Sequence, residues 1–496
     1  MILAIDQGTT GSTALVFDTD ANLLGRASRE FTQHFPQPGW VEHDAAEIWE
    51  ASQEVMAEAL AGAGAQAGDL RAIGITNQRE TVVAWDPATG EPLHRALVWQ
   101  DRRTAQRCDE LRAAGHEPLV RDATGLVLDP YFSGTKIEWL LRNVDGLAER
   151  AEDGTAVFGT VDSWLIFQLT GAHATDASNA SRTLLFDLRT GAWSPELCGL
   201  FGVRARALPE VRASAGVIAL TRGGALPGHD GVPVAGVAGD QQAALFGQAC
   251  LEPGEGKNTY GTGSFVLLNA GSTPPPPVPG LLSTVAWRIG ERTTYATEAS
   301  IFVTGAAIQW LRDGLGIIER ASDTEALAAS LDSNEGVYFV PALTGLGSPH
   351  WDPYARGTIV GLTRGSTRAH LARAALEGIA FQTLDAVRAM EAATGAALTE
   401  LKADGGAVAN RWLMQFQADV LGVPVVVPEI AETTGLGAAL LAGVGAGLMT
   451  LQQVRDGWSE RTRYEPRMAP AQRDAAVSGW HRALARAGEW ARPDSG

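Results

Sequence analysis

ILAIDQGTTGSTALVF, residues 2–17, reads as a strand, a tight turn and a returning strand. The apolar runs Ile2–Ile5 and Ala14–Phe17 enclose Asp6-Gln7-Gly8-Thr9-Thr10-Gly11-Ser12-Thr13, a segment made for a hairpin bend. Such a bend exposes successive backbone N–H groups, and threonine hydroxyls add further donors, so phosphate oxygens suit it. Asp6, at the end of the first strand, offers the hard oxygen that Mg2+ prefers. Taken alone, a plain hairpin would have the same appearance.

The pattern returns at mid-chain. Asn258-Thr259-Tyr260 leads into Gly261-Thr262-Gly263-Ser264 and then into the apolar run Phe265–Asn269. Two such units, each opening about half of the chain, predict a duplicated architecture with two phosphate-gripping bends. A third glycine turn, Ala403-Asp404-Gly405-Gly406, stands between the strand of ELKADGG and a helix read over AVANRWLMQFQADVLG, from Ala407 onward. There a backbone can approach a ligand closely, and a helix N-terminus favours negative charge. LRAIGIT, TVVAW, VPVAGVA and GTIVGLT read as further strands. Asp44 and Glu47 resemble a capping box ahead of a helix ending at Gly62. The alternation predicts α/β layers in two units, residues 1–250 and 251–496.

The remaining composition narrows the function. The 39 basic and 57 acidic residues leave a net charge of −18, which argues against nucleic acid as a partner. Cys108, Cys198 and Cys250 are widely spaced and odd in number, which fits a reducing compartment. The N-terminus has no basic n-region, and the longest apolar stretch, Gly435 to Met449, falls short of the roughly 20 residues of a bilayer span. No membrane insertion and a cytoplasmic location are therefore expected. Of the 39 basic residues only Lys136, Lys257 and Lys402 are lysines, so each lysine marks a place where a compact ammonium is required. No P-loop, dinucleotide fingerprint or H-E-x-x-H motif occurs.

These segments, with TNQRET, VWQDRR, YFSGTK, GVAGDQQAALFGQ, NTYGTGSF, GAAIQWLRD and ADGGAVANRWLMQFQAD in order, make the chain resemble the FGGY carbohydrate kinase family over nearly its whole length. Within that family it is most similar to the branch that phosphorylates glycerol. The resemblance implies two ribonuclease H-like (actin-like ATPase) domains with an interdomain cleft, ATP and Mg2+ as cofactors, glycerol as the acceptor and a homo-oligomer.

It also implies roles for particular residues. Asp240 would be catalytic. Arg79, Glu80, Trp99, Tyr131, Asp240, Gln241 and Phe265 would hold glycerol. Thr9, Thr10, Gly11, Thr262, Gly305, Gln309, Gly406 and Asn410 would hold ATP or ADP, and Asp6 and Asp240 the metal. Glycerol has so few atoms that nearly every hydroxyl must be paired, which suits an adjacent cation and carboxylate. Read without the family, Arg79-Glu80 is a surface charge pair, and Trp99 and Phe265 are core aromatics. Thr13 stands where relatives carry an arginine, and the loop 221–231 lacks the Gly-Thr-Arg string that accompanies fructose-bisphosphate inhibition. A related kinase acting on a pentulose, an alditol or a related sugar, and a non-metabolic actin-like ATPase, either a filament former or a chaperone, are the rival readings.

Overall fold

In the computed structural model, which describes residues 1–66, 68–226 and 228–492, thirteen strands join into one sheet with two similar halves. In the first, Ile2–Gln7 pairs antiparallel with Gly11–Phe17, and that strand pairs antiparallel with Leu23–Glu30. On its other side Ile2–Gln7 runs parallel to Ala72–Asn77, which runs parallel to Pro233–Gly239. In the second half, Gly256–Tyr260 pairs antiparallel with Ser264–Gly271, followed by Arg292–Ile301. Gly256–Tyr260 also runs parallel to Leu401–Gly405, which runs parallel to Val425–Pro428. Both halves therefore stand in the spatial order third, second, first, fourth, fifth. This is the ribonuclease H-like order, present twice. The halves meet edge to edge where Ala215 pairs with Ile289.

Each fifth strand is followed by a helix that packs at the junction. Asp240–Gly247 follows the first half, and Thr433–Gly445 follows the second. Thr433–Gly445 crosses back onto the first half, lying over Ile2–Gln7, Ala72–Asn77 and Pro233–Gly239 and against Asp240–Gly247. Its glycine content follows from that contact: a Cβ on Gly437 would lie 1.8 Å from the carbonyl oxygen of Ala243. Two backbones touch there, and no side chain fits between them.

The helix Ala45–Gly62 starts and stops where its signals predict, with Asp44 accepting from the Ala46 N–H. The reciprocal half of the capping box is not made, because Glu47 instead accepts from the Thr32 N–H at 3.1 Å. GTIVGLT forms only the short strand Thr358–Val360. The three cysteines are free and buried. No described helix is long and apolar enough to cross a membrane. Pro227, inside the loop 221–231, and residues 493–496 of the second sequence unit lie outside the described residues.

Candidate active site

The two hairpin bends form as their sequences predict. Gln7 pairs with Ser12 across the first, which closes with a Gly8 N–H to Gly11 carbonyl bond of 2.9 Å. Tyr260 pairs with Ser264 across the second, closed by a Gly261 N–H to Gly263 carbonyl bond of 2.8 Å. Thr10 and Thr262 are exposed on these bends, and Thr9 and Gly11 are half-buried. Thr13 pairs with Asp6 across the first hairpin and shares a 3.0 Å hydroxyl contact with Ser28.

Gly305 and the double glycine gather beside the second bend. The Gly305 N–H donates to the Gly261 carbonyl at 3.0 Å. Gly405 has φ +89° and stands beside Tyr260, where a Cβ would lie 2.3 Å from the Tyr260 carbonyl oxygen. Only glycine fits such a position. Gly406 next to it is exposed with open space in front, and Gln309 is exposed at the end of the helix Gly305–Gln309. Asn410 is occupied differently. Its side-chain oxygen caps the helix Arg411–Leu421 by accepting from the Leu413 N–H at 2.9 Å, and its nitrogen donates to Thr324 at 3.1 Å.

Arg79 and Glu80 are 3% and 1% exposed, so the bland reading of a surface charge pair is wrong for them. They follow the strand Ala72–Asn77, and Glu80 adopts φ +61°, a backbone state that non-glycine residues enter rarely. The Arg79 guanidinium donates to both oxygens of Glu298, at 2.5 and 3.2 Å, and its Nε lies 3.1 Å from Asp240 Oδ1. Arg182 donates from Nε to Glu80 at 2.7 Å and from Nη2 to Glu298 at 3.0 Å. Arg79, Glu298, Arg182 and Glu80 thus form a closed alternation of buried charges, with Asp240 attached at its solvent side. Burial alone would raise the Glu298 carboxyl, but Arg182 and Arg79 outweigh it and hold it at about 2. Burial lifts the Glu80 carboxyl above its ordinary range, against the opposing pull of Arg182 and Arg79.

Asp240 is the first residue of its helix, set at the end of the strand Pro233–Gly239, and accepts from the Gln241 N–H at 2.7 Å. The insertion between fourth and fifth strands of the first half supplies the aromatic wall. Trp99 meets Tyr131 edge to face at 5.6 Å, and its indole N–H donates to the Thr9 hydroxyl at 2.9 Å. The Arg182 guanidinium lies 5.7 Å from the Tyr131 ring. Phe265 is half-buried on the strand Ser264–Gly271, between Thr259 and Ser300.

Three contributors were not singled out for roles: Arg182, Glu298 and Lys257. Glu298 left a signal, a lone carboxylate inside the apolar strand YATEASI, and Lys257 left another through the rarity of lysine. Arg182 left none.

Among the described residues no three His, Cys, Asp or Glu side chains cluster as a metal cage. Asp6 and Asp240 are close enough to act on one another: burial, then the charges of Asp240 and Glu432, push the Asp6 carboxyl up to about 7. Two carboxylates that repel in this way fit a divalent cation whose other positions are filled by phosphate and water, the usual manner of Mg2+.

Two models of the FGGY family of carbohydrate kinases match this chain, the N-terminal domain over residues 1–247 and the C-terminal domain over residues 256–446. A glycerol kinase of Deinococcus radiodurans is 55% identical over 492 residues, covering 99% of this chain and 98% of that protein. The crystal structure of Plasmodium falciparum glycerol kinase with ADP is 35% identical, covers 98% of both chains and superposes with a TM-score of 0.93. The crystal structure of a xylulose kinase from Rhodospirillum rubrum is 26% identical over 98% of both chains, with a TM-score of 0.87.

Proposed function

The chain belongs to the FGGY family of carbohydrate kinases, and on that premise we propose that it transfers the γ-phosphoryl group of ATP to a terminal hydroxyl of glycerol. The observation that carries the choice of glycerol is the likeness, over nearly the full length, to kinases named for it.

Phosphoryl transfer of this kind passes a loose transition state, so positioning and charge neutralisation matter more than a strong base. In the proposed arrangement Asp240 orients the attacking hydroxyl and accepts its proton late. Arg79 holds Asp240 in place through its Nε, Glu298 holds Arg79, and Arg182 in turn holds Glu298. Gln241 pairs the attacking hydroxyl beside Asp240 and Glu80 a remaining one, while Trp99, Tyr131 and Phe265 enclose the carbon chain and exclude water. The two bends hold the phosphates through backbone N–H groups, that of Gly11 among them, and the hydroxyls of Thr9, Thr10 and Thr262. Gly305, Gln309, Gly406 and Asn410 surround the nucleoside. For Asn410, whose amide is already engaged, the contribution is that of the helix end it caps. Asp6 and Asp240 would hold Mg2+, which neutralises phosphate charge when bound. Assembly into a homo-oligomer rests on the likeness alone, and sedimentation of the purified chain tests it.

A coupled assay offering glycerol, xylulose, ribulose and gluconate tests the acceptor. Activity confined to a sugar would reject glycerol. Asp240→Asn is expected to bind ATP nearly as before and to lose turnover by about two orders of magnitude or more, the scale of general-base removal. Near-normal turnover would remove Asp240 from its role.

A further inference from the structure

All three lysines are buried, and two of them do the same work. Lys136 Nζ donates to the carbonyls of Pro130, Tyr131 and Phe132 at 2.9, 2.6 and 3.0 Å. Lys402 Nζ donates to the carbonyl of Gln248 at 2.7 Å. Both gather backbone oxygens. Lys257 differs: from the strand Gly256–Tyr260 of the second half it reaches the side-chain oxygen Oε1 of Gln241 in the first, and the hydroxyl of Thr259 at 2.8 Å.

We propose that Lys257 is a positioning residue that fixes which end of the Gln241 amide faces the acceptor substrate. The proposal rests on the reading of Gln241 as a substrate contact. An ammonium has three donors and no acceptor, so its contact with an amide must take the oxygen. Burial pushes the Lys257 amine down to about 8, against the opposing pull of Asp404 and Asp240, and at neutral pH it is still an ammonium. With Oε1 engaged, the Gln241 nitrogen is the end left over, and among the described residues no hydrogen bond joins it to the protein.

The consequence concerns hydrogen-bond polarity. Gln241 offers N–H donors to the substrate, and ionised Asp240 beside it offers only acceptors. A hydroxyl between them accepts from Gln241 and donates to Asp240. That is the direction in which its proton must leave during transfer. Without Lys257 the amide turns over at little cost and presents its oxygen. The hydroxyl, with a single proton, then faces two acceptors, and one of them goes unpaired.

Steady-state kinetics on the full chain test this with Lys257→Met, Gln241→Ala, the double variant and Gln241→Glu. Lys257→Met should raise the KM for glycerol roughly tenfold, the worth of one buried hydrogen bond, and leave the KM for ATP within about twofold. Because the lysine acts through the glutamine, the double variant should be no worse than Gln241→Ala. Gln241→Glu keeps a partner for Lys257 but has no N–H, so it should lose glycerol affinity as Gln241→Ala does while its Tm stays at the parent value. Multiplying losses in the double variant, a Lys257→Met effect confined to ATP, or a normal glycerol KM in Gln241→Glu would each overturn the inference. The last of these remains readable even where Lys257→Met fails to fold. A parent chain without glycerol phosphorylation, or a Gln241→Ala variant with unchanged glycerol KM, would instead overturn the functional reading beneath it.

Discussion

Glu298 is a single carboxylate between two guanidiniums, 219 residues from Arg79 along the chain. No spacing rule connects them, and the pairing exists only once the two halves of the sheet meet. The resemblance pointed to Arg79 and Glu80, but their burial together was not legible, nor were the residues that hold them. Removing the Glu298 charge takes away the carboxylate that Arg79 and Arg182 share and leaves them only Asp240 and Glu80, and breaking a buried ion pair typically costs about 3–5 kcal/mol. Glu298→Gln is expected to lower Tm strongly and to raise the glycerol KM, because Arg79 no longer holds Asp240; calorimetry with initial-rate kinetics checks both. Its depressed carboxyl also gives the fold stability that is fully present above 4.5 and lost as pH falls toward about 2. A second buried carboxylate acts with the opposite sign. Burial, then the charge of Asp176, push Asp162 from 3.8 up to about 7, although Thr160 and Thr175 donate to it. Between those values the folded chain keeps a proton that the unfolded chain has released, so this stabilisation is lost as pH rises through about 7. Asp162→Asn removes the titration. Its stability relative to the parent, followed through Tm, should climb from about pH 5 to about pH 8 by no more than roughly 3 kcal/mol, the part of the shift that lies above about pH 5. A pH-independent difference would assign the carboxyl no such role.

At the scale of elements, the hairpins, the glycine turns and the helix Ala45–Gly62 were legible because their determinants are local. The crossing of Asp240–Gly247 by Thr433–Gly445 was not. Read as sequence, residues 435–449 showed only an apolar stretch rich in glycine, and nothing local says which backbone those glycines admit. The contact bears on the site because Asp240 begins one of the two helices. Gly437→Ala places a methyl 1.8 Å from the Ala243 carbonyl oxygen and 3.0 Å from the Gly247 nitrogen, so the helices must separate. Overpacking of this kind costs roughly 1–3 kcal/mol, and an Asp240 displaced by about 1 Å costs up to about a hundredfold in rate. The variant is expected to fall in both Tm and kcat. Gly62→Ala, where a Cβ meets nothing within 4 Å, should change neither. Equal behaviour of the two variants in thermal melts and rate assays would show that the crossing tolerates separation.

For the molecule as a whole, the duplication was legible from two related bends, and the structure gives it a consequence the bends do not carry. The first half cannot cover its own sheet. Ile2, Ala4, Leu15, Phe17, Ala72 and Ala238 share one buried cluster with Leu436, Ala439, Leu441 and Ala442, which arrive from the far end of the chain. Residues 1–250 expressed alone would expose that face and would leave Arg79 and Arg182 without Glu298. Large exposed apolar patches drive association, and unpaired buried charges oppose folding. The fragment is therefore expected to aggregate or to bind a hydrophobic dye, and the intact chain to unfold in one calorimetric transition. Co-expression with residues 251–496 should return it to solution as a complex, since the missing helix and the missing carboxylate both lie there. A monomeric fragment that melts cooperatively by itself, or two resolved transitions in the intact chain, would mean that the returning helix is an ornament on a self-sufficient domain. The position of Asp240 would then be set by the first half alone. If the fragment fails as expected, the aspartate, its arginine and the sheet beneath them are held by the second half of the chain, and any movement between the halves must act directly on the position of Asp240.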